Sequence, residues 1–488
     1  MTNDKNILEQ NVGISTSSPK SVLTSDHIEI YPYKFTQILE FSMKQKVNQH
    51  GELSIKGYID AGLRDRYIED ARFGQTVRVS RMDESDNIIM FDGILQKISI
   101  YQDGQLYLME FQAVTGTYFM DIHKVRRSFQ DNSMPYHELT SKIASMYAGG
   151  NTISTVGDQC LNGFILQYDE TDWEFLVRMA SHFNQGIYPC IDIAEPKCYF
   201  GNPQFQSTNT IDAISYSVYN DIGTASVNKE NFIDDVTISD FTMYIVETYD
   251  NIPLGAKVMF HGQLFYIKEI GTSLVRGEIR NKYVLCKEKG LKQPYQKNEA
   301  LQGISVNGKV IDVERDKVKV HLDEIDQMQD ASTAHWFTYS TVYASHDGSG
   351  WYCMPEKGDR VRVQFANTDD FSAYAVSSVS ESDSDRMNDY NIRYIKNPQG
   401  MEITMTPNQV ILSANNESLI VMDQDGNIQI HGEAGISLSS SNNISISAGN
   451  KISMQASENI NLLCGGKSEI DLSSSGVTQL KGTTVYTN

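Results

Sequence analysis

Cysteine is scarce in this chain. Six residues of 488 are cysteine, at positions 160, 190, 198, 286, 353 and 464, and no two form a C-x-x-C pair. Neither a structural zinc site nor a disulfide framework is expected, and the thiols read as buried and free in a reducing compartment. Long apolar runs are also missing. None approaches 18 residues, so no membrane-spanning helix is expected. The opening MTNDKNILEQNVGISTSS lacks a basic start followed by an apolar core, so no secretory signal is expected. Positive charge is in the minority: 41 Lys and Arg against 62 Asp and Glu give a net charge of −21. A phosphate-seeking surface is therefore not the dominant theme. What remains is 40% hydrophobic and 21% charged, the composition of a folded chain. Its length suggests about three domains.

Three textures follow one another after a polar arm at 1–25, which carries Ser-Thr-Ser-Ser-Pro at 15–19. Residues 26–295 read as short alternating strands, such as ELSIKGYID and QTVRVSRM, with two helices. The first helix follows Pro135, whose missing N–H costs nothing in a first turn, and closes at Gly149-Gly150. The second opens on a capping box, Thr171-Asp172-Trp173-Glu174, and stops near Asn184-Gln185-Gly186. Its stripe of Trp173, Leu176, Val177, Ala180 and Phe183 reads as core, and Glu174 with Arg178 reads as an i, i+4 ion pair. Residues 300–380 read as a small closed barrel of short strands. Two strands flank Glu314-Arg315-Asp316, and VRVQF follows the turn at Pro355–Asp359, with Val361, Val363 and Phe365 on one face. Residues 381–400 read as a linker.

Residues 401–488 change to Ser, Asn, Gly and Ile. Leu412, Ile420, Ile428, Ile436, Ile444, Ile452 and Ile460 recur every eight residues without a break. Two residues beyond them stand Ala414, Met422, Ile430, Leu438, Ile446, Met454 and Leu462, and all fourteen positions are apolar. Ile470 and Leu472 continue the pattern after an insertion at Cys464-Gly465-Gly466. Each octad reads as a short strand with two inward side chains and a polar turn, too small to bury its own apolar face. Stacking solves this in two ways. Three octads of one chain make a coil of a solitary solenoid, or three chains share a three-sided prism with the apolar residues on its axis.

Signals of chemistry are weak throughout. Gly465-Gly466-Lys467-Ser468 imitates the end of a phosphate loop but has Asn461 where the first glycine belongs, so it reads as a corner. Asp423-Gln424-Asp425-Gly426-Asn427 hints at a calcium loop with its glycine misplaced, and reads as a turn. The ten histidines form neither H-E-x-x-H nor H-x-H. Asp323-Glu324-Ile325-Asp326 reads as a solvated barrel loop rather than a cation site. His335-Trp336-Phe337 and Trp351-Tyr352 suggest a base-stacking platform. However, the stretch 303–379 holds 7 basic against 12 acidic residues. Barrel core is the preferred reading. No catalytic, cofactor or metal residue is assigned.

The order of these parts resembles the central spike of contractile injection machines: the VgrG family of type VI secretion and the hub and spike of contractile phage tails. QYDETDWEFLVRMASHF (167–183) resembles the family's Q-Y-x-E-[ST]-D-x-x-F-L-x-R-x-A signature, and PEKGDRVRVQF (355–365) resembles P-x-x-G-D-x-V-x-V-x-F of its OB barrel. VNQHGELSI, FDGIL and IPLGAKVMFHGQLFYIKEI resemble its hub strands. One departure lies at Asn367–Ala373, which matches the family's closing segment poorly and leaves the last barrel strand open. The resemblance implies a mainly β, α+β hub, an OB-fold barrel and a triple-stranded β-helix needle in a homotrimer. The octad residues other than Ala414, with Ile470 and Leu472, would line the needle, and Val485, Tyr486, Thr487 and Asn488 would dock a PAAR-type tip protein. The hub would meet inner-tube and baseplate proteins, possible effectors would ride along, and no nucleic acid would be bound. Such a spike is assembled in the bacterial cytoplasm and driven into a target envelope or the extracellular space. The implied function is structural, not enzymatic, since the linker leaves no room for an inserted hydrolase. The alternative is an envelope hydrolase or adhesin on a β-solenoid stalk.

Overall fold

The computed structural model describes residues 22–82, 87–231, 233, 235–326, 330–379, 389–484 and 486. The chain divides into two units, Met1–Glu381 and Ser382–Asn488.

A 12-stranded sheet dominates the larger unit, and its central strands fall into two halves of one design. The first half holds β1 (Gln37–Lys46), β2 (Glu52–Ile59), β3 (Thr76–Met82), β4 (Asn87–Asp103) and β5 (Leu106–Thr115), in the order β3-β4-β5-β2-β1. The second holds β6 (Ser215–Asn220), β7 (Thr242–Thr248), β8 (Lys257–Phe260), β9 (Gln263–Val275) and β10 (Glu278–Cys286), in the order β8-β9-β10-β7-β6. All of these pairings are antiparallel. Each long hairpin carries a bulge at the same place, between Leu95 and Lys97 in β4 and between Ile267 and Glu269 in β9. A bulge adds one residue to one strand and sharpens the local twist. The halves join where β1 pairs with β9. Alternation puts Phe41, Ile55, Val77, Val79 and Phe111 into one core and Val246, Val258, Phe265, Ile267 and Leu285 into another.

Four α-helices lie among the described residues: α1 (Arg64–Glu69), α2 (Tyr136–Ala144), α3 (Asp172–Ser181) and α4 (Ile222–Glu230). The two expected from sequence are α2 and α3, and α1 and α4 are additions. Pro135 is the N-cap of α2, and the helix ends at Ala144, before the two glycines. The capping box of α3 is formed: Thr171 Oγ1 accepts from the Glu174 N–H (3.0 Å), and Glu174 Oε2 accepts from the Thr171 N–H (2.9 Å). The left-handed residue after α3 is Asn184, with φ 52°.

The barrel closes through β11 (Ser305–Glu314), β12 (Lys317–Leu322), β13 (Trp336–Ser340), β14 (Arg360–Phe365) and β15 (Ala373–Val379), in the order β11-β12-β13-β15-β14. The poorly matching segment at 367–373 thus leads into a closing strand. Val361, Val363 and Phe365 are buried as their spacing predicts. Hub residues Phe164 and Leu166 belong to the same core as Val318, Val320, Phe337 and Phe365. The Phe164 ring meets that of Phe337 edge-on, with centroids 4.9 Å apart.

Expectations for exposure need three corrections. Cys190, Cys198 and Cys286 are buried, but Cys160 is half-buried, and Cys353, on the β13–β14 connection, and Cys464, at a strand end in the smaller unit, are exposed. Phe337 is core, whereas Trp351 and Tyr352 are exposed on the β13–β14 connection. Asp326 is not solvated but buried.

The smaller unit contains two antiparallel sheets. Arg393–Lys396, inside the stretch read as linker, pairs with Met401–Met405, and Gln409–Ala414, Ser418–Asp423 and Ile428–Gly432 follow. Asn459–Cys464, Ser468–Ser473 and Thr478–Lys481 form the second sheet. Residues 433–458 contain no strand. Gly465 and Gly466, at φ 55° and 66°, turn the chain between Cys464 and Ser468. Asp423 Oδ1 accepts from the Asn427 N–H (2.9 Å), so both imitated ligand loops are turns.

If Phe164 seals the barrel base, Phe164→Ala in the intact chain costs the larger unit about 3–5 kcal/mol of stability, as for other buried aromatics. Chemical denaturation followed by near-UV signal checks this, and an unchanged midpoint would mean the hub does not complete the barrel core.

Candidate functional site

The signature of α3 places a guanidinium where water cannot reach it. Arg178 is 2% exposed. Its Nε and Nη2 donate to the two carboxylate oxygens of Glu170 at 2.7 Å each, and Nη2 also donates to the Leu166 carbonyl (2.9 Å). Nη1 donates to Asp370 Oδ2 at 2.5 Å. Asp370 completes the circuit by accepting from the Leu166 N–H (2.7 Å). Asp370 lies in the turn that feeds β15, so a hub helix and the last barrel strand share one buried ion cluster. The expected Glu174–Arg178 pair does not form. Glu174 is occupied by the cap, and Arg178 turns inward. Two carboxylates on one guanidinium leave one excess negative charge, and burial holds the Glu170 and Asp370 carboxyls above their ordinary range.

A second polar joint sits beside it. Asp326 accepts from the Leu322 N–H (2.7 Å), from Gln130 Nε2 (2.6 Å) and from Ser128 Oγ. Gln130 Nε2 also donates to the Val320 carbonyl (3.1 Å), and its Oε1 accepts from the His335 N–H (3.0 Å). Ser128 and Gln130 belong to the hub, and the others to the barrel. Burial raises the Asp326 carboxyl above its usual range.

The other signature residues support this frame. Asp172 accepts from Arg127 Nη2 (2.5 Å), the Tyr147 hydroxyl (2.7 Å) and Gln167 Nε2 (2.9 Å). Phe175 stacks on Phe129 at 5.4 Å. Every residue of the helix except Glu174 is buried, beyond the single stripe that its spacing suggested. Burial and the Arg178 cation push the His182 imidazole down to about 3, so it stays neutral against Tyr295. Arg178, Asp370, Asp326, Ser128 and Gln130 join hub to barrel, and the Asp172 and Phe175 contacts brace the hub behind them. Among the described residues no group of three or more His, Cys, Asp or Glu is placed to hold a metal.

The octad residues are brought together differently. Leu412 stands opposite Ile420, and Ile420 opposite Ile430; Met422 stands opposite Ile428, and Leu462 opposite Ile470. The octads at 412, 420 and 428 thus pair antiparallel in sequence order. Ile460 is half-buried, and the other predicted needle residues from Leu412 to Leu472 are 38–72% exposed, Ile444 at 55%. Ile436, Leu438, Ile444, Ile446, Ile452 and Met454 lie in the strandless stretch. Of the four docking residues, Tyr486 is 89% exposed, while Val485, Thr487 and Asn488 lie outside the described residues. Sequence reasoning missed Asp370, Asp326 and Gln130. No local spacing marks them, because their partners lie about 200 residues away.

Arg178→Met strands two buried carboxylates, at a cost of about 3–5 kcal/mol near neutral pH. Their folded-state pKa values already exceed the unfolded ones, so the native state holds protons that the unfolded chain releases. Stability is therefore regained as pH falls through those raised values and is lowest above them. Urea midpoints of variant and parent at about pH 7.5 and 5.5 measure this. An equal deficit at both would contradict the assignment.

Residues 306–379, almost the whole barrel, match the family described as the type VI secretion system/phage-baseplate injector OB domain. No curated protein matches the chain in sequence. Among solved structures, the chain is similar to the Escherichia coli c3393 protein, a type VI secretion component itself described as similar to the T4 phage tail proteins gp27 and gp5. That match has a TM-score of 0.51 at 10% identity, over 72% of this chain and 99% of that one. A chain of the half-lidded Francisella PdpA–VgrG complex matches with a TM-score of 0.51 at 10% identity, over 88% of this chain and 90% of that one. The barrel is thus an injector OB domain, carried in a chain whose fold is that of VgrG-like type VI spike and phage-tail proteins.

Proposed function

We propose that this chain is the structural central spike of a contractile injection machine, be it a type VI secretion system, an extracellular contractile system, a tailocin or a phage tail. Three copies associate. Their hubs sit on the inner tube among baseplate proteins, and their octads assemble into a needle. A PAAR-type protein caps the needle at the C-terminal end, where Tyr486 is exposed. The particle forms in the bacterial cytoplasm, and contraction drives the needle through a target envelope, with effectors as possible cargo. The work is mechanical: a stiff rod focuses load on a small area.

One observation carries this reading. Apolar side chains at a stride of eight lie open on the surface of a single copy. Each such side chain gains about 1.5–3 kcal/mol on full burial, so a ladder of them drives association strongly. Large exposed apolar faces mark interaction surfaces. The injector OB domain and the spike-like fold supply the context. Acidic charge argues against nucleic acid as a partner.

Ile444→Asp separates a shared axis from a free surface. In a lone copy the side chain is exposed, and the change is nearly neutral. On a threefold axis it buries three carboxylates without partners, at a cost of several kcal/mol. The variant should lose its trimer on heating well below the parent, as read by light scattering, and parental heat resistance would overturn the inward assignment. Removing residues 483–488 should abolish binding of a tip protein while leaving self-association intact. Loss of both would show that these residues belong to the needle itself.

A further inference from the structure

One histidine of the hub sits in a run of hydrogen bonds whose direction is fixed. His50 lies in the turn between β1 and β2, with its side chain 14% exposed. Its Nε2 is 3.2 Å from Asp121 Oδ2, and its Nδ1 is 2.9 Å from Thr117 Oγ1. Both partners belong to the 3-10 turn Gly116–Asp121. The ring packs on Trp173 of α3, with centroids 4.5 Å apart, and meets Tyr118 edge-on at 5.9 Å. A carboxylate can only accept, so Nε2 carries the hydrogen, and Nδ1 of the neutral ring accepts from the Thr117 hydroxyl. The Thr115 and Thr117 hydroxyl oxygens are 2.9 Å apart. Thr117 has given its one hydrogen to His50, so Thr115 donates to Thr117, and Thr115 Oγ1 accepts from the Gly51 N–H (3.1 Å). At the far end Asp121 Oδ1 accepts from the hydroxyl of Thr171 (2.5 Å), the N-cap of α3. Thr115 and Thr117 are both 0% exposed. No substrate reaches these hydroxyls, so they hold three segments together rather than react.

We propose that this joint is an acid-sensitive latch: protonation of His50 releases the β1–β2 turn from the Gly116–Asp121 turn and from the start of α3. The added proton goes to Nδ1, where it points at a hydroxyl that is already donating. Thr117 can then turn only toward Thr115, which loses its acceptor. Among the described residues Thr115 Oγ1 is otherwise bonded only to the Gly51 N–H. A buried hydroxyl without an acceptor is costly, and opening the turn to water relieves it. The charged groups acting on the imidazole are Asp121 and Glu52, and both favour the cation. From α3 it meets the Trp173 ring, while Glu174 is turned to cap Thr171. Burial outweighs the two carboxylates and holds the imidazole below its ordinary range. The unfolded chain therefore takes up the proton first as pH falls. The latch is fully formed above the ordinary histidine range and weakens as pH drops below it. His182 and His335, lowered by burial and a neighbouring cation to about 3 and about 4, stay neutral in mild acid. The raised carboxyls of Glu170 and Asp370 change stability with the opposite sign, so the latch is visible only in a local measurement. It lies within one copy and does not depend on the spike reading.

Hydrogen exchange of the intact chain, followed by mass spectrometry, tests both halves of the proposal. Exchange at the imidazole C2 position reads the titration of each histidine, and backbone amide exchange reads the joint. His50 should titrate below a histidine in a free peptide. Thr117→Val removes the hydroxyl that favours the neutral ring, and should move the titration of His50 upward. Between about pH 7.5 and 5, after correction for intrinsic rates, residues 48–52 and 116–121 should lose protection relative to the strand core at 109–113. In Thr117→Val that loss should begin at higher pH, in step with the titration. In His50→Gln, which cannot take up the proton, the two segments should show no such change with pH. A His50 that titrates at the free-peptide value would overturn the proposal. So would a low titration point with unchanged protection of both segments on acidification, because the proton would then bind without opening the joint.

Discussion

An apolar residue repeated on a strand of six residues cannot be hidden by that strand's own turns. That constraint governs the smaller unit. Antiparallel pairing lines Ile403, Leu412, Ile420 and Ile430 into one row across four strands, yet a sheet one layer thick has nothing to set against the row. Soluble folds bury such a face on a second layer. No described residue of the unit supplies one, and the octads from Ile436 to Met454 do not even pair with each other. The composition offers no helix or second apolar texture to do it. The proposed spike meets that need with further copies of the same chain.

The larger unit meets a different demand. A smooth apolar contact between two domains slides more readily than one pinned by directional bonds. Here the contact is pinned twice. Arg178, Glu170 and Asp370 hold α3 to the start of β15, and Asp326 holds the β12 end to Ser128 and Gln130. Phe164 fills the space between them. Buried ion clusters contribute little net stability compared with a well-packed apolar core, but they penalise misdocking heavily. The barrel is thus fixed in one orientation on the hub.

Sequence disclosed those features whose cause is local. The Thr171–Glu174 capping box and the alternation of Val361, Val363 and Phe365 each depend on neighbours within a few residues, and each is present in the structure. The partner of Arg178 was misread for the same reason. Glu174 is the nearest carboxylate in sequence, and Asp370, 192 positions away, is invisible to spacing. Asp326 resembled its acidic neighbours in composition and differs from them only in burial. The twofold design of the hub escaped notice because its halves share strand order and bulge position rather than residues. The exposed Trp351 and Tyr352 looked like core because aromatic content alone does not distinguish inside from outside.

The most direct measurement is hydrogen exchange across residues 433–458 in the intact protein. In a single copy these octads take no strand, so their amides have few backbone partners. A needle built from several copies pairs them, and the amides of Ile436, Ile444 and Ile452 should exchange orders of magnitude more slowly than in an unstructured peptide. Exchange of this stretch at free-peptide rates would contradict the shared apolar seam and with it the spike.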